Sequence, residues 1–370
     1  MSALFSPIRL RDLALPNRIM VAPMCQYSAD DGRANDWHFT HMNTLALSGA
    51  AMFCMEATHV ESSGRITPGC LGLWNDATEA ALRPVLASIR RHSTIAIAIQ
   101  LAHAGRKGSS HKPWDGGQQI PLEERGWQTV GPSDVPHKDG EQKPLALDAV
   151  GLKRIRDAFV EAARRANRLG IDAVELHCAH GYLLHQFLSP ISNRRSDKYG
   201  GSLQNRMRYP LEVFDAVRAV FPSKKPVGIK VSATDWVEGG WDLAQTIEFA
   251  KELHRRGVDW IDVSSGGISP QQKIPLAPGY QLPFAQAIRE ATGVTTMAVG
   301  LITEARQAED IVASGKADMV ALARGMLYDP RWAWHAAAEL GGEVQAPPQY
   351  WRSQPASQKA LFGATRFGAR

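Results

Sequence analysis

Eight short runs of β-branched and apolar residues, each followed by a longer helical or loop stretch, constrain this chain more than any other feature. They are Arg18–Ala22, Ala51–Glu56, Ile95–Leu101, Ala173–His177, Val227–Val231, Trp260–Val263, Thr295–Val299 and Met319–Ala323. A strand with one face in water alternates apolar and polar residues. These runs are apolar nearly throughout, the pattern of parallel strands buried on both faces. Between them, Thr78–Arg91, Asp148–Leu169, Leu203–Val220, Leu243–Arg256, Pro283–Ala291 and Ala305–Ala313 carry apolar residues three and four apart, as amphipathic helices do. Asp148 is positioned to cap one helix, and Gly170 and Gly257 to stop two. Eight strands in this alternation predict an α/β fold closed into a (β/α)8 TIM barrel. The alternative, an open doubly wound sheet, calls for a Gly-x-Gly-x-x-Gly turn after an early strand, and none is present. A chain of 370 residues suits one such domain, 1–370, with insertions.

Two segments break the alternation. Residues 103–147 carry five prolines, Pro113, Pro121, Pro132, Pro136 and Pro144, with Gly116, Gly117 and Gly126. A loop this long is usually functional or disordered. It follows the third strand on the C-terminal face of the barrel, so it is expected to be a lid over the active site. The tail, 345–370, leaves the helical pattern at Pro347–Pro348 and then holds Tyr350, Trp351, Arg352 and Phe367. That is more aromatic than a disordered tail requires. Packing between subunits and folding back onto the chain's own barrel both account for it.

Composition narrows the function. No apolar run approaches the roughly 20 residues that span a bilayer, and Met1–Arg11 lacks the apolar stretch of a signal peptide. A cytoplasmic protein with no membrane partner is expected. The net charge is +5, but basic residues sit among acidic ones, as in Arg154–Glu161 and Lys251–Arg256, which argues against a nucleic-acid partner. A mild positive surplus suits an anionic, phosphate-bearing cofactor. None of the four cysteines pairs as Cys-x-x-Cys, so zinc and iron–sulfur sites are not expected. Cys54, inside an apolar run, reads as an inert core thiol.

Barrel chemistry lies at the C-terminal ends of the strands. There the chain offers Pro23-Met24-Cys25-Gln26-Tyr27, Glu56-Ala57-Thr58, Gln100-Leu101-Ala102-His103, His177-x-x-His180-Gly-Tyr182, Lys230, Gly300 and Ala323-Arg324-Gly325. Loops after the seventh and eighth strands of such barrels often bind phosphate. Gly300 permits close backbone approach, and Arg324 adds a charge-assisted partner. Glycine is common in tight turns, so the phosphate reading rests on the two loops together. His177 and His180 at one strand end suit two N–H groups aimed at one oxygen, polarising a carbonyl. Tyr182 offers a phenolic proton for general acid catalysis. The pair also suits a metal, but no His-x-His on strand one and no Asp after strand eight completes a ligand set. Simple packing is the other alternative. Cys25 is either a nucleophile needing a base or a small buried residue.

Taken together, Pro23-Met24-Cys25-Gln26-Tyr27, Gln100-Leu101-Ala102-His103-Ala104-Gly105-Arg106, His177-Cys-Ala-His180-Gly-Tyr182 and the long motif Ser189–Arg206 resemble the Old Yellow Enzymes. Cys25 and Tyr350-Trp351-Arg352 resemble the thermophilic-like class, which includes xenobiotic reductases. The resemblance spans about Leu4 to Ala336. It implies FMN bound in the barrel, with Pro23, Met24, Cys25, Ala57 and Gln100 on the flavin ring and NADPH as hydride donor. It implies that His177 and His180 bind the substrate's carbonyl or nitro oxygen, that Tyr182 protonates the α-carbon and that Tyr27 lines the substrate pocket. Cys25 would tune the flavin potential. Arg352 would reach the neighbouring subunit's site in a homodimer or homotetramer. The Ser189–Arg206 motif is assigned to loop architecture. Lys230 departs from the arginine usual in the family, keeping the charge but losing the planar fork. The implied reaction saturates the activated C=C bond of an enone or nitroalkene. Two rivals are a flavin barrel that reduces dienoyl thioesters, whose relatives carry a cysteine-rich cluster and an added domain for which this chain leaves no room, and a non-catalytic flavin-binding or redox-sensing protein.

Overall fold

The computed structural model describes residues 2–365. Eight parallel strands close into a barrel: β1 Ile19–Val21, β2 Met52–His59, β3 Ala96–Ala102, β4 Ala173–Cys178, β5 Val227–Ser232, β6 Ile261–Ser264, β7 Thr296–Ala298 and β8 Met319–Leu322. All eight predicted runs became strands, because both faces of each are buried. The period of two decides which face. Ile97, Ile99, Val174, Leu176, Ile229 and Val263 point outward and pack against the surrounding helices. Met20, Met52, Cys54, Ala96, Ala173, Met297 and Met319 point inward with Trp260 and fill the N-terminal half of the barrel. The antiparallel hairpin Ile8–Leu10/Leu13–Leu15 closes that end through Leu10 and Leu15. Gly228 makes room for Trp260: a Cβ there would lie 2.0 Å from the indole.

Along the same inward face the residues turn polar towards the C-terminal end. Ala98 is followed by Gln100, Ala173 by Glu175 and His177, Gly228 by Lys230 and Ser232, and Trp260 by Asp262 and Ser264. One period-2 pattern therefore builds an apolar plug at one end and a polar chamber at the other.

The predicted helices form, with Asp148 accepting a hydrogen bond from Gly151 N at 2.8 Å and Gly170 and Gly257 in the left-handed region just past two helix ends. Besides the short helices Leu183–Leu188 and Arg324–Tyr328, two longer ones carry too little periodicity to read in advance. Asp36–Ala46 buries only His38, Met42, Leu45 and Ala46 and exposes Trp37 and Phe39. Trp332–Leu340 is rich in alanine and tryptophan. Among the described residues no helix is long and apolar enough to cross a membrane.

The 103–147 segment contains short 3-10 turns and the two-residue strands Val130–Gly131 and Leu145–Ala146. Arg106 donates to the carbonyls of Val135, Pro136 and Ile268, which ties the segment to itself and to the loop after β6. The Ser189–Arg206 motif is architectural. Asn193 Nδ2 donates to Phe187 O and Tyr199 O, and Arg195 reaches Pro132 O and Leu147 O.

The tail packs on its own chain as far as it is described. Trp334 meets Tyr350 edge-on at 6.0 Å and Phe362 at 4.8 Å, with the Arg331 guanidinium over both Trp334 and Tyr350. Trp351 Nε1 donates to Ala346 O at 2.9 Å. Phe367 lies outside the described residues.

Candidate active site

The polar chamber opens into a cavity of about 290 Å³ at the C-terminal end of the barrel. Ten of the residues singled out from the sequence line it: Pro23, Cys25, Gln100, His177, His180, Tyr182, Lys230, Gly300, Ala323 and Arg324. Strand pairing explains much of this. His177 is the register partner of Lys230, and Lys230 of Asp262, so residues distant in sequence share one level of the barrel.

His177 and His180 meet edge-to-face at 5.2 Å, and His177 meets Tyr182 likewise at 4.8 Å. His177 Nδ1 accepts from Ala179 N at 3.3 Å, which assigns its proton to Nε2. His180 Nε2 is held by Ser264 Oγ at 2.7 Å, and His180 N donates to Ser232 Oγ. Nδ1 is then the His180 nitrogen left for a ligand. The backbone of His180 adopts φ +56°, a left-handed conformation that is uncommon outside glycine and clusters at functional sites. Burial holds both imidazoles well below the usual histidine range; His180 and Lys230 add to this at His177, and Lys230 and Lys107 at His180. Both rings are therefore neutral at physiological pH. Burial likewise pushes the Tyr182 phenol well up, with Cys25 and Tyr27 acting in the same direction. Tyr182 keeps its proton.

Beneath these groups lies a buried charge cluster. Lys230 Nζ donates to Asp262 Oδ2 at 2.5 Å, and Glu175 accepts from Gln100 Nε2 at 2.8 Å and Trp260 Nε1 at 3.1 Å. Burial disfavours the ammonium, but Asp262 and Glu175 outweigh it and raise the Lys230 pKa, so Lys230 is a cation facing the cavity. Burial and Asp262 push Glu175 up to about 7, against the pull of Lys230.

At the other end, Gly300 holds φ +114°, and a Cβ there would come within 2.5 Å of Gln281 Nε2, which donates to Val299 O. The residue must be glycine for the strand end to stay open. The cavity thus runs from a buried cation and an amide, Lys230 and Gln100, to an opened main-chain turn and Arg324. That donor set matches a ligand with a polar, electron-accepting ring and a phosphate tail, and FMN fits it.

Cys25 is half-buried on the cavity wall. Burial, then Cys70 and Glu56, push its thiol well up, so it is not a ready nucleophile. Met24 packs against the outer core and Ala57 is buried on β2; neither lines the cavity. Tyr27 lines an adjoining cavity. Arg352 is exposed on the turn Pro348–Ser353 and does not line the cavity of its own chain. The sequence reading missed Ser264, Tyr280 and Gln281, all from the end of β6 and its loop. The signal was there in Ser264-Ser265-Gly266-Gly267, polar residues and paired glycines at a strand's C-terminal end.

The NADH:flavin oxidoreductase / NADH oxidase family model matches residues 3–343. An NADPH dehydrogenase of Listeria innocua is 43% identical over 355 residues, covering 95% of this chain and 99% of that protein. Among solved structures, morphinone reductase is 29% identical with a TM-score of 0.77, over 93% of this chain and 91% of that one. A 2-naphthoyl-CoA reductase superposes with a TM-score of 0.80 over 89% of this chain, but the match spans only 51% of that longer chain, and at 24% identity the likeness is one of fold. The chain belongs to the NADH:flavin oxidoreductase / NADH oxidase family, the Old Yellow Enzymes, whose cofactors are FMN and a reduced nicotinamide nucleotide.

Proposed function

We propose that this flavin oxidoreductase is an NADPH-dependent ene reductase that saturates the activated C=C bond of α,β-unsaturated carbonyl or nitro compounds. The observation that carries the reading is the convergence of two neutral imidazoles and one neutral phenol, His177, His180 and Tyr182, on one cavity wall. When bound, FMN would supply the hydride chemistry between NADPH and the substrate's β-carbon. His177 Nε2–H and His180 Nδ1–H hold the carbonyl or nitro oxygen and stabilise the negative charge that builds there. Neutral donors suit this work, because they polarise the oxygen without surrendering a proton to it. Ser264 fixes the His180 ring through its hydrogen bond with Nε2. Tyr182 donates its phenolic proton to the α-carbon, completing the addition of hydride and proton. Lys230 holds positive charge at the ring end of the cavity, and Cys25, a neutral thiol, adjusts the flavin's potential from the wall. Tyr27, on the wall of the adjoining cavity, completes the surroundings of the substrate.

We also propose a homodimer or homotetramer in which Arg352 enters the neighbouring subunit's site. Its exposure on the tail turn supports this. All four cysteines are free thiols, in keeping with a reducing, cytoplasmic setting.

The test is anaerobic stopped-flow. NADPH is expected to bleach the flavin, and cyclohexenone to restore its colour over repeated turnovers. A redox sensor would be reduced without being reoxidised by the enone, and that outcome would remove the ene reductase reading.

A further inference from the structure

A second cavity, of about 330 Å³, adjoins the first. Tyr27 lines it and packs with Tyr182 and Cys25 in one cluster, and Lys107 Nζ lies 5.2 Å from the Tyr182 ring. Ile66 and Thr67 form a further edge, and the remaining walls come from the 103–147 segment. They carry Arg106, Lys107, His111, His137 and Lys138, against a single carboxylate, Glu141. Arg106, Lys107 and Lys138 thus set three basic side chains against one acid.

The surplus is visible in the groups themselves. Burial lowers Lys107 to about 8, and Arg106 contributes in the same direction. Burial lowers His137 to about 3, with Lys107 and Arg106 next in weight. Arg106 and Lys107 are committed to main-chain carbonyls, Arg106 to three and Lys107 to His180 O and Gly267 O. They supply fixed positive potential. His111 and Lys138 are different, since among the described residues their side chains make no hydrogen bond. At the rim, Trp114 is 63% exposed and stands edge-on to Tyr27 at 5.8 Å. An exposed aromatic face beside a cationic cavity suits a ligand that carries a base as well as a phosphate.

NADPH has that chemistry. With its nicotinamide at the first cavity, its adenosine 2′-phosphate would be carried at the far end of the dinucleotide. We propose that the cavity beneath the 103–147 segment receives the adenosine end of NADPH, with His111 and Lys138 holding the 2′-phosphate. The proposal rests on NADPH being the hydride donor, not on which oxidant follows. An anionic substituent on the oxidant has similar chemistry, and the test separates the two sources.

The variants are His111→Ala, Lys138→Ala and Glu141→Gln in the FMN-loaded enzyme, whose first two sites are polar residues outside the reacting cavity. Flavin reduction by NADPH and by NADH is followed by stopped-flow with no enone present. The Kd for NADPH is expected to rise about tenfold in each of the first two variants, with Kd for NADH and the limiting reduction rate unchanged. Calorimetry with 2′,5′-ADP should lose affinity by a similar factor in those variants and gain it in Glu141→Gln, whereas 5′-ADP should respond little. Equal shifts for NADPH and NADH, or unaltered 2′,5′-ADP binding, would overturn the proposal. A raised KM confined to a carboxylate-bearing enone would overturn it too and assign the cavity to the oxidant. Because flavin reduction is read without enone, failure of the ene reductase reading would leave these results interpretable.

Discussion

Lys230 on β5 and Asp262 on β6 are register partners, joined Nζ to Oδ2 at 2.5 Å with both side chains buried. The second Asp262 oxygen has no hydrogen-bond partner among the described residues. Glu175 interacts with the same ammonium, so two carboxylates share one point charge. An arginine at 230 would offer a fork of donors to the same two acids.

Lys230→Arg is therefore expected to shift the flavin midpoint potential while changing the thermal midpoint little. Asp262→Asn leaves the buried ammonium with Glu175 alone and is expected to destabilise the fold, by less than the about 3–5 kcal/mol of a fully unpaired buried charge. Dye equilibration and chemical denaturation read the two effects separately. A potential unaltered in Lys230→Arg would detach this residue from the ring.

Glu175 gives a pH-dependent prediction. Its folded value is raised from the ordinary 4.5 to about 7 by burial and by Asp262. Between those values the folded protein keeps a proton that the unfolded chain has released. Its contribution is therefore most favourable below 4.5, falls as pH rises through the window, and is least favourable above about 7. Glu175→Gln cannot ionise, so its stability relative to the parent should climb across that window and then level off. Urea midpoints measured from about pH 5 to about pH 8 check this; a difference that does not vary with pH would rule it out.

Much of this was legible in the sequence because the barrel imposes one simple demand. Strands buried on both faces need continuous apolar runs, so all eight strands could be marked. The polar residues ending those runs, Gln100, His177 and Lys230, then fell on the cavity by topology. The partners on other strands were not legible. Asp262 sits inside an apolar run and looks like an interruption, and only the β5–β6 register brings it to Lys230. Ser264 and Gln281 meet His180 and Val299 across loops of no fixed spacing. The helix Asp36–Ala46 escaped notice because its exposed Trp37 and Phe39 mask a narrow buried stripe.

His177→Ala and His180→Ala are each expected to weaken phenol binding to the oxidised enzyme and to slow enone reduction. Removing one donor to a developing oxyanion costs on the order of 3 kcal/mol, or about 100-fold. FMN content should stay intact. Ser264→Ala should act more mildly, through the ring orientation of His180 alone. Unchanged enone kinetics in both histidine variants would take the pair out of the substrate site.

The shared-site proposal makes the last prediction. Pro347–Pro348 ends helical continuation, and the turn that follows exposes Arg352 while Tyr350 and Trp351 pack on their own chain. An arginine anchored by its neighbours' packing suits a contact that crosses to a second copy, and closed two-fold symmetry would make the contact reciprocal. Two impaired variants test it: one with a broken pocket, His177→Ala with Tyr182→Phe, and one with an intact pocket but Arg352→Ala. In a mixed dimer, the intact pocket of the second chain receives the intact arginine of the first. Random pairing of equal amounts therefore restores roughly a quarter of all sites. Co-refolded mixtures are expected to exceed the mean activity of the two parents, with FMN content unchanged. Activity no higher than that mean, together with a monomeric mass by light scattering, would refute the crossing arginine and leave Arg352 serving its own chain.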